Sequence, residues 1–240
     1  MHMLNVDADD SIDLESLYSH SPGVTRANMV STLDGAAKDS SGLSDGLSSP
    51  LDKRIFGILR AASDVILVGA GTVRSEGYGP ARIKDERIRV RRERGQSDVP
   101  PIAVVSRTCD LDLSSPFFTE AKARPIVVTV EAAPVEKRSV VGAVADVVVA
   151  GEDSVDVIAA LDGLHERGLT RVLCEGGPHL LNDVAAAGRL DELCLSLKLA
   201  MVGGDAGRIT AGPPLPHGWN GMVAHALTDD THLFLRVERV

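Results

Sequence analysis

Short, uninterrupted apolar runs, separated by stretches with helical spacing, constrain this chain more than any other feature. Asp64-Val-Ile-Leu-Val68 is one such run. Ile102–Val105, Ile126–Val130, Asp146–Val149 and Arg171–Cys174 repeat the pattern. A strand with one wet face alternates apolar and polar residues. A strand apolar at every position must be covered on both faces, as happens in parallel sheets sandwiched between helices. The helices are signalled in between. Ser49-Pro50 reads as an N-cap followed by proline at the first helical position, and Leu51, Ile55, Ile58, Leu59 and Ala62 then form one apolar stripe. Val155, Ile158, Ala159, Leu161 and Leu164 form a second stripe that stops at Gly168, and Pro178–Ala187 a third helix that stops at Gly188. Val24–Val30 reads as the first strand, Asp191–Leu199 as a late one, and Met222–Leu227 with His232–Val240 as a closing hairpin. The expected fold is α/β: a mixed, mostly parallel central sheet flanked by helices, with an antiparallel hairpin at the C-terminal end. Residues 1–22 read as a flexible acidic arm, and 23–240 as a single domain.

Composition removes several function classes. The net charge is -9 and aromatics are only 3% of the 240 residues, which disfavours a nucleic-acid backbone as partner. Cys109, Cys174 and Cys194 are widely spaced with no C-x-x-C, so neither a metal site nor a disulfide framework is expected. No apolar stretch reaches the roughly 18 residues of a membrane span, and the acidic start is unlike a signal peptide. The expectation is a cytoplasmic protein with a small-molecule substrate. Residues 81–94 carry seven basic side chains against three acidic ones, the pattern of a solvated charged face.

Two strand ends are rich in glycine: Val68-Gly69-Ala70-Gly71-Thr72 and Cys174-Glu175-Gly176-Gly177-Pro178. In parallel sheets, ligands bind beyond the carboxyl ends of strands, where free N–H groups of helix N-termini face outward. Glycine lets backbone approach a ligand closely, so two such ends in one sheet point to a phosphate-bearing cofactor. The familiar fingerprints are absent. Gly69–Arg74 lacks the third glycine of the dinucleotide motif, and there is no P-loop. Gly42-Leu-Ser44-Asp-Gly46 matches a nucleophile elbow but has no strand before it, which argues against a serine hydrolase. Asp34 stands just before Gly35, the place of a turn residue.

RANMVSTLDG at 26–35, then SGLSDGLSSP, ILRAASDVILVGAGTV and LCEGGPHLL, in that order and spacing, closely resemble the reductase domain of the riboflavin-biosynthesis deaminase–reductases. The zinc-ligand motifs of the deaminase half are not in this chain. The resemblance implies a dihydrofolate-reductase-like fold, a homodimer, and NADPH-dependent reduction of a phosphorylated ribosylamino-pyrimidine at its ribose carbon. By the same resemblance, Val30, Gly46, Gly71, Thr72, Glu76, Ser106, Arg107 and the run Gly176, Gly177, Pro178, His179, Leu180, Leu181, Asn182, Asp183 would meet the cofactor. Asn28, Ser44, Arg60, Arg82 and Glu175 would face the substrate, with Asp34 and Glu175 as the catalytic pair. The two arginines suit a 5′-phosphate, because a guanidinium fork matches its oxygens. Ser106 and Arg107, at the end of a buried-strand pattern, suit the 2′-phosphate that distinguishes NADPH from NADH. The family usually has a lysine where this chain has Asn28. That departure leaves a related pterin-like substrate, or non-catalytic cofactor binding, as alternatives.

Overall fold

The computed structural model describes residues 12–240. In chain order the elements are α1 (Leu14–Leu17), β1 (Thr25–Thr32), α2 (Pro50–Ala62), β2 (Val65–Gly69), α3 (Ala70–Ser75), α4 (Asp85–Glu93), β3 (Ile102–Val105), α5 (Pro116–Thr119), β4 (Ile126–Thr129), α6 (Val135–Val144), β5 (Asp146–Val149), α7 (Val157–His165), β6 (Val172–Cys174), α8 (Pro178–Ala186), β7 (Glu192–Lys198), β8 (Gly221–Thr228) and β9 (His232–Arg239). The strands form one nine-stranded sheet in the order β5-β4-β3-β2-β6-β1-β7-β9-β8. From β5 to β7 every pairing is parallel. β9 and β8 close the sheet antiparallel.

The continuous apolar runs are buried on both sides, as their composition demands. Ile66 and Val68 of β2 pack into one core with Ile55, Ile58 and Leu59 of α2, while Val65 and Leu67 pack into the other with Leu161, Leu164 and Val184 of α7 and α8. Ser49 caps α2, its side chain accepting from the Asp52 N–H. Gly168 ends the α7 segment with φ +78°, a left-handed conformation that a β-carbon would oppose.

Three departures from the sequence reading have physical causes. Residues 14–20, expected within the loose arm, are packed onto the sheet: Leu14, Tyr18 and His20 are buried, and the carbonyls of Tyr18 and Ser19 accept hydrogen bonds from Arg26. Residues 1–11 of that arm lie outside the described residues. The basic run is not merely solvated. Arg91 of α4 is buried and donates to the carbonyls of Ala61 and Ser63, closing the C-terminal end of α2. α3 and α6 carry no strong amphipathic stripe; α6 buries only Val141.

The packed N-terminal segment makes stability acid-sensitive. Burial pushes His20 down to about 3, helped by the Arg26 charge. Burial likewise pushes His225, whose ring meets Tyr18 edge-on, down to about 4, helped by Arg236 and Arg26. Glu192 lies between the two arginines and pulls weakly the other way. Both rings are therefore neutral in the fold, whereas the unfolded chain protonates them near an ordinary value of about 6.5. Their contribution is complete above that pH and is lost as pH falls toward 4, by about 1.4 kcal/mol per unit for each ring. Urea denaturation between pH 7 and 4 is expected to show this slope, and His225→Phe to remove one ring's share.

Candidate active site

The topology places the candidate site. The chain runs from β1 to β2 and outward through β3, β4 and β5, then returns to insert β6 between β2 and β1. Ala27, Cys174 and Leu67 are in register across these three strands. The residues that follow, Asn28 to Val30, Glu175 to Gly177 and Gly69 to Thr72, therefore emerge side by side at the carboxyl edge. Such an inserted strand creates the crevice in which α/β proteins bind ligands. Here it is a cleft of about 1200 Å³. Its far wall is one face of α2, with Lys53, Phe56 and Arg60 at positions i, i+3 and i+7, completed by Ser44 and by residues of the 75–82 segment.

Glu175 stands at the centre. It is buried, and Arg60 grips it with two hydrogen bonds: Nε donates to Oε1 and Nη2 to Oε2, each at 2.7 Å. Tyr78 donates its hydroxyl to Oε2, also at 2.7 Å. The Arg60 guanidinium lies 4.2 Å from the Phe56 ring centroid. Burial disfavours its charge, but the Glu175 carboxylate outweighs burial and pushes its pKa above the ordinary value. Burial, and then the Glu175 charge, push the Tyr78 phenol well above its ordinary value, so it stays protonated.

The opposite end is a backbone cradle. The Gly69 N–H donates to the Gly176 carbonyl at 2.8 Å, tying the two glycine-rich strand ends together. A β-carbon on Gly177 would lie 2.5 Å from Thr72 Oγ1, so any larger residue there displaces that hydroxyl. α8 starts with Pro178, no side chain caps it, and Gly177, Pro178, His179 and Leu180 line the cleft. An uncapped helix start beside glycine backbone suits a phosphate.

Of the residues expected at the site, Asn28, Val30, Ser44, Arg60, Gly71, Thr72, Glu76, Arg82, Glu175, Gly177, Pro178, His179 and Leu180 line this one cleft. Ser44 is anchored there by Glu76, which accepts from its hydroxyl at 3.0 Å. The others fall elsewhere. Asp34 accepts from the Thr32 hydroxyl and from the Val202 and Gly203 N–H groups, at 3.0 and 2.7 Å for the latter two, so it pins a loop instead of facing the cleft. Gly46 packs against Asp39, and its carbonyl accepts from Lys198. Gly176 lies beneath the cradle with its carbonyl engaged by Gly69. Leu181 is core, and Asn182 turns its amide to the Pro213 carbonyl. Asp183 is exposed on α8. Ser106 is buried and Arg107 exposed at the end of β3, outside the cleft lining. The sequence reading misses Phe56, Lys53 and Tyr78. The i, i+3, i+7 spacing of Lys53, Phe56 and Arg60 is legible as a second face of α2, whereas Tyr78 sits in an aperiodic turn with no such signal.

The fold is dihydrofolate-reductase-like. Dihydrofolate reductase from Enterococcus faecalis, complexed with NADP(H), superposes with a TM-score of 0.50 over 92% of this chain and 98% of that one, at 13% identity. The chain belongs to the RibD C-terminal domain family, which it matches over residues 24–233. It is 33% identical over 178 residues, 74% of this chain and 80% of the relative, to 2,5-diamino-6-ribosylamino-4(3H)-pyrimidinone 5′-phosphate reductase of Archaeoglobus fulgidus. A pyrimidine reductase-like protein from Corynebacterium diphtheriae shares the fold with a TM-score of 0.84, covering 95% of this chain and 99% of that one at 22% identity. Among the described residues no helix is long and apolar enough to cross a membrane, and no cluster of three metal-ligating side chains occurs.

Proposed function

We propose that residues 23–240 form a cytoplasmic NADPH-dependent reductase of a phosphorylated ribosylamino-pyrimidine, the substrate class named for the Archaeoglobus relative. The observation that carries this reading is the pairing, in one cleft, of a glycine cradle at an uncapped helix start with buried Glu175, held by Arg60, on the same strand end. The cradle fits a dinucleotide: Gly71, Thr72 and Gly177 to Leu180 would hold its phosphates. When bound, the nicotinamide supplies a hydride to the ribose carbon.

The chain's own residues bind and orient. Glu175, held by Arg60, offers a fixed acceptor to substrate N–H or O–H groups. Ser44 and Glu76 supply a second polar wall. Arg60 keeps Nη1 outside its Glu175 pair, and with Lys53 and Arg82, which pair with Asp45 and Glu120 at exposed positions, it would meet the substrate phosphate. Incubation with NADPH and the pyrimidinone phosphate is expected to oxidise the cofactor, with dihydrofolate inert. Oxidation with dihydrofolate alone would transfer the reading to a pterin substrate, and tight cofactor binding with no turnover of either would remove it.

Preference for NADPH over NADH is assigned to Arg107 and Ser106, at the carboxyl end of β3 next to the cradle strand β2. A charge-assisted hydrogen bond contributes roughly 1.5–3 kcal/mol. Arg107→Ala is thus expected to weaken NADPH about ten- to hundred-fold and NADH hardly at all, read by fluorescence titration. Equal weakening of both cofactors would remove Arg107 from this role. The proposal includes a homodimer. Leu193, Leu195 and Leu197 of β7 share a half-buried sheet face with Leu233, Leu235 and Val237 of β9. Light scattering is expected to give the mass of two chains.

A further inference from the structure

Tyr78 takes no part in the family resemblance or in the function as argued so far, yet its hydroxyl reaches the most constrained carboxylate in the cleft. Its position is built in. α3 ends with Gly77 at φ +61°, and the Tyr78 N–H returns to the Val73 carbonyl at 3.0 Å. That six-to-one closure after a left-handed glycine is a Schellman turn, which fixes the residue that follows it. The turn delivers Tyr78 to the cleft wall, with the Arg60 guanidinium 5.6 Å from the Tyr78 ring centroid.

A carboxylate has about four acceptor sites, two on each oxygen. In Glu175 three are filled: one on Oε1 by Arg60 Nε, and two on Oε2 by Arg60 Nη2 and Tyr78 Oη. Arg60 alone would orient the carboxylate plane but leave one acceptor site free on each oxygen. Tyr78 closes the site on Oε2 and leaves Oε1 with the single open one. We propose that Tyr78 is a positioning residue that makes Glu175 accept one substrate hydrogen bond, at Oε1, and thereby sets where the ribosylamino-pyrimidine lies against the cofactor cradle. The phenol suits this task because it donates without ionising: burial and the Glu175 charge keep its proton in place.

This inference rests on the reading that Glu175 meets the substrate. Tyr78→Phe tests it, because the ring and its packing on Arg60 remain while the hydroxyl is lost. The expected result is an about ten-fold weaker dissociation constant for the pyrimidinone phosphate, measured by calorimetry with NADP⁺ present, and a similar fall in kcat/KM. The NADPH dissociation constant should stay within about two-fold, and the midpoint in urea should be unchanged. In a Glu175→Ala background, or Glu175→Gln if alanine prevents folding, Tyr78→Phe should have little further effect, since it acts only through that carboxylate. Unchanged substrate affinity in Tyr78→Phe, a parallel loss of NADPH affinity, or the same loss in both backgrounds would each overturn the assignment. Substrate that binds the wild-type protein but is not reduced would count against the proposed reaction alone, because the binding comparison still decides the role of Tyr78.

Discussion

Arg26→Ala is expected to destabilise the protein by about 2–5 kcal/mol, through the cavity it opens and the buried carbonyls it leaves without a donor. Arg26 is completely buried in β1, between β6 and β7. Its Nε donates to Glu192 at 2.5 Å, Nη1 to the Tyr18 carbonyl at 2.8 Å and Nη2 to the Ser19 carbonyl at 2.6 Å. Alanine would leave these carbonyls without a donor and open a cavity the length of the side chain. Glu192 would keep Arg236, which donates to it at 2.9 and 3.2 Å, so the carboxylate itself stays paired. Arg26→Met retains most of the volume and separates the packing loss from the polar one. The measurement is the urea midpoint together with the rate of proteolytic cleavage near residues 12–22. A loss below about 1 kcal/mol would mean that the N-terminal segment is held by Leu14 and Tyr18 packing alone.

Gly177→Ala is expected to weaken NADPH binding roughly ten- to hundred-fold, the equivalent of about 1–3 kcal/mol of overpacking. The backbone at Gly177 has φ -65° and ψ -167°, outside the left-handed region that favours glycine. The cost is steric: the new methyl would lie 2.5 Å from Thr72 Oγ1, and that hydroxyl, itself in the cradle, must move. Cofactor titration by fluorescence checks it. Unaltered affinity would show that Thr72 rotates away at no cost, and would remove its hydroxyl from the cofactor contacts. Gly77 is the opposite case. There a β-carbon would meet no atom within 4 Å, and the requirement for glycine is the left-handed φ.

Much of the fold was legible because its signals are local. Proline at the first helical position and the Ser49 hydroxyl start α2, Gly168 ends the α7 segment, and runs apolar at every position require cover on both faces. Each depends on residues within one turn or one strand. The paired glycine ends likewise marked the two strand termini that frame the cleft, and most of the residues expected there do line it. Asp34, Asn182 and Gly46 differ. Their side chains or backbone are claimed by Val202 and Gly203, by Pro213 and by Lys198, partners that are 31 to 169 positions distant in sequence.

The sequence by itself determined the periodicities: the strands, the helices α2, α7 and α8, that the sheet is mostly parallel, and that two of its strand ends suit a phosphate-bearing ligand. Only the tertiary structure decided the strand order, with β6 inserted between β2 and β1, and hence that Glu175 faces Arg60 across 115 positions and Tyr78 across 97. The physical reason lies in what each level can sense. Capping, turn conformation and apolar alternation act between neighbours along the chain. The pairing of a buried charge is settled by whichever partner the packed strands bring within hydrogen-bond reach, so Arg60, which looked like a free phosphate ligand, has two of its donors committed to Glu175.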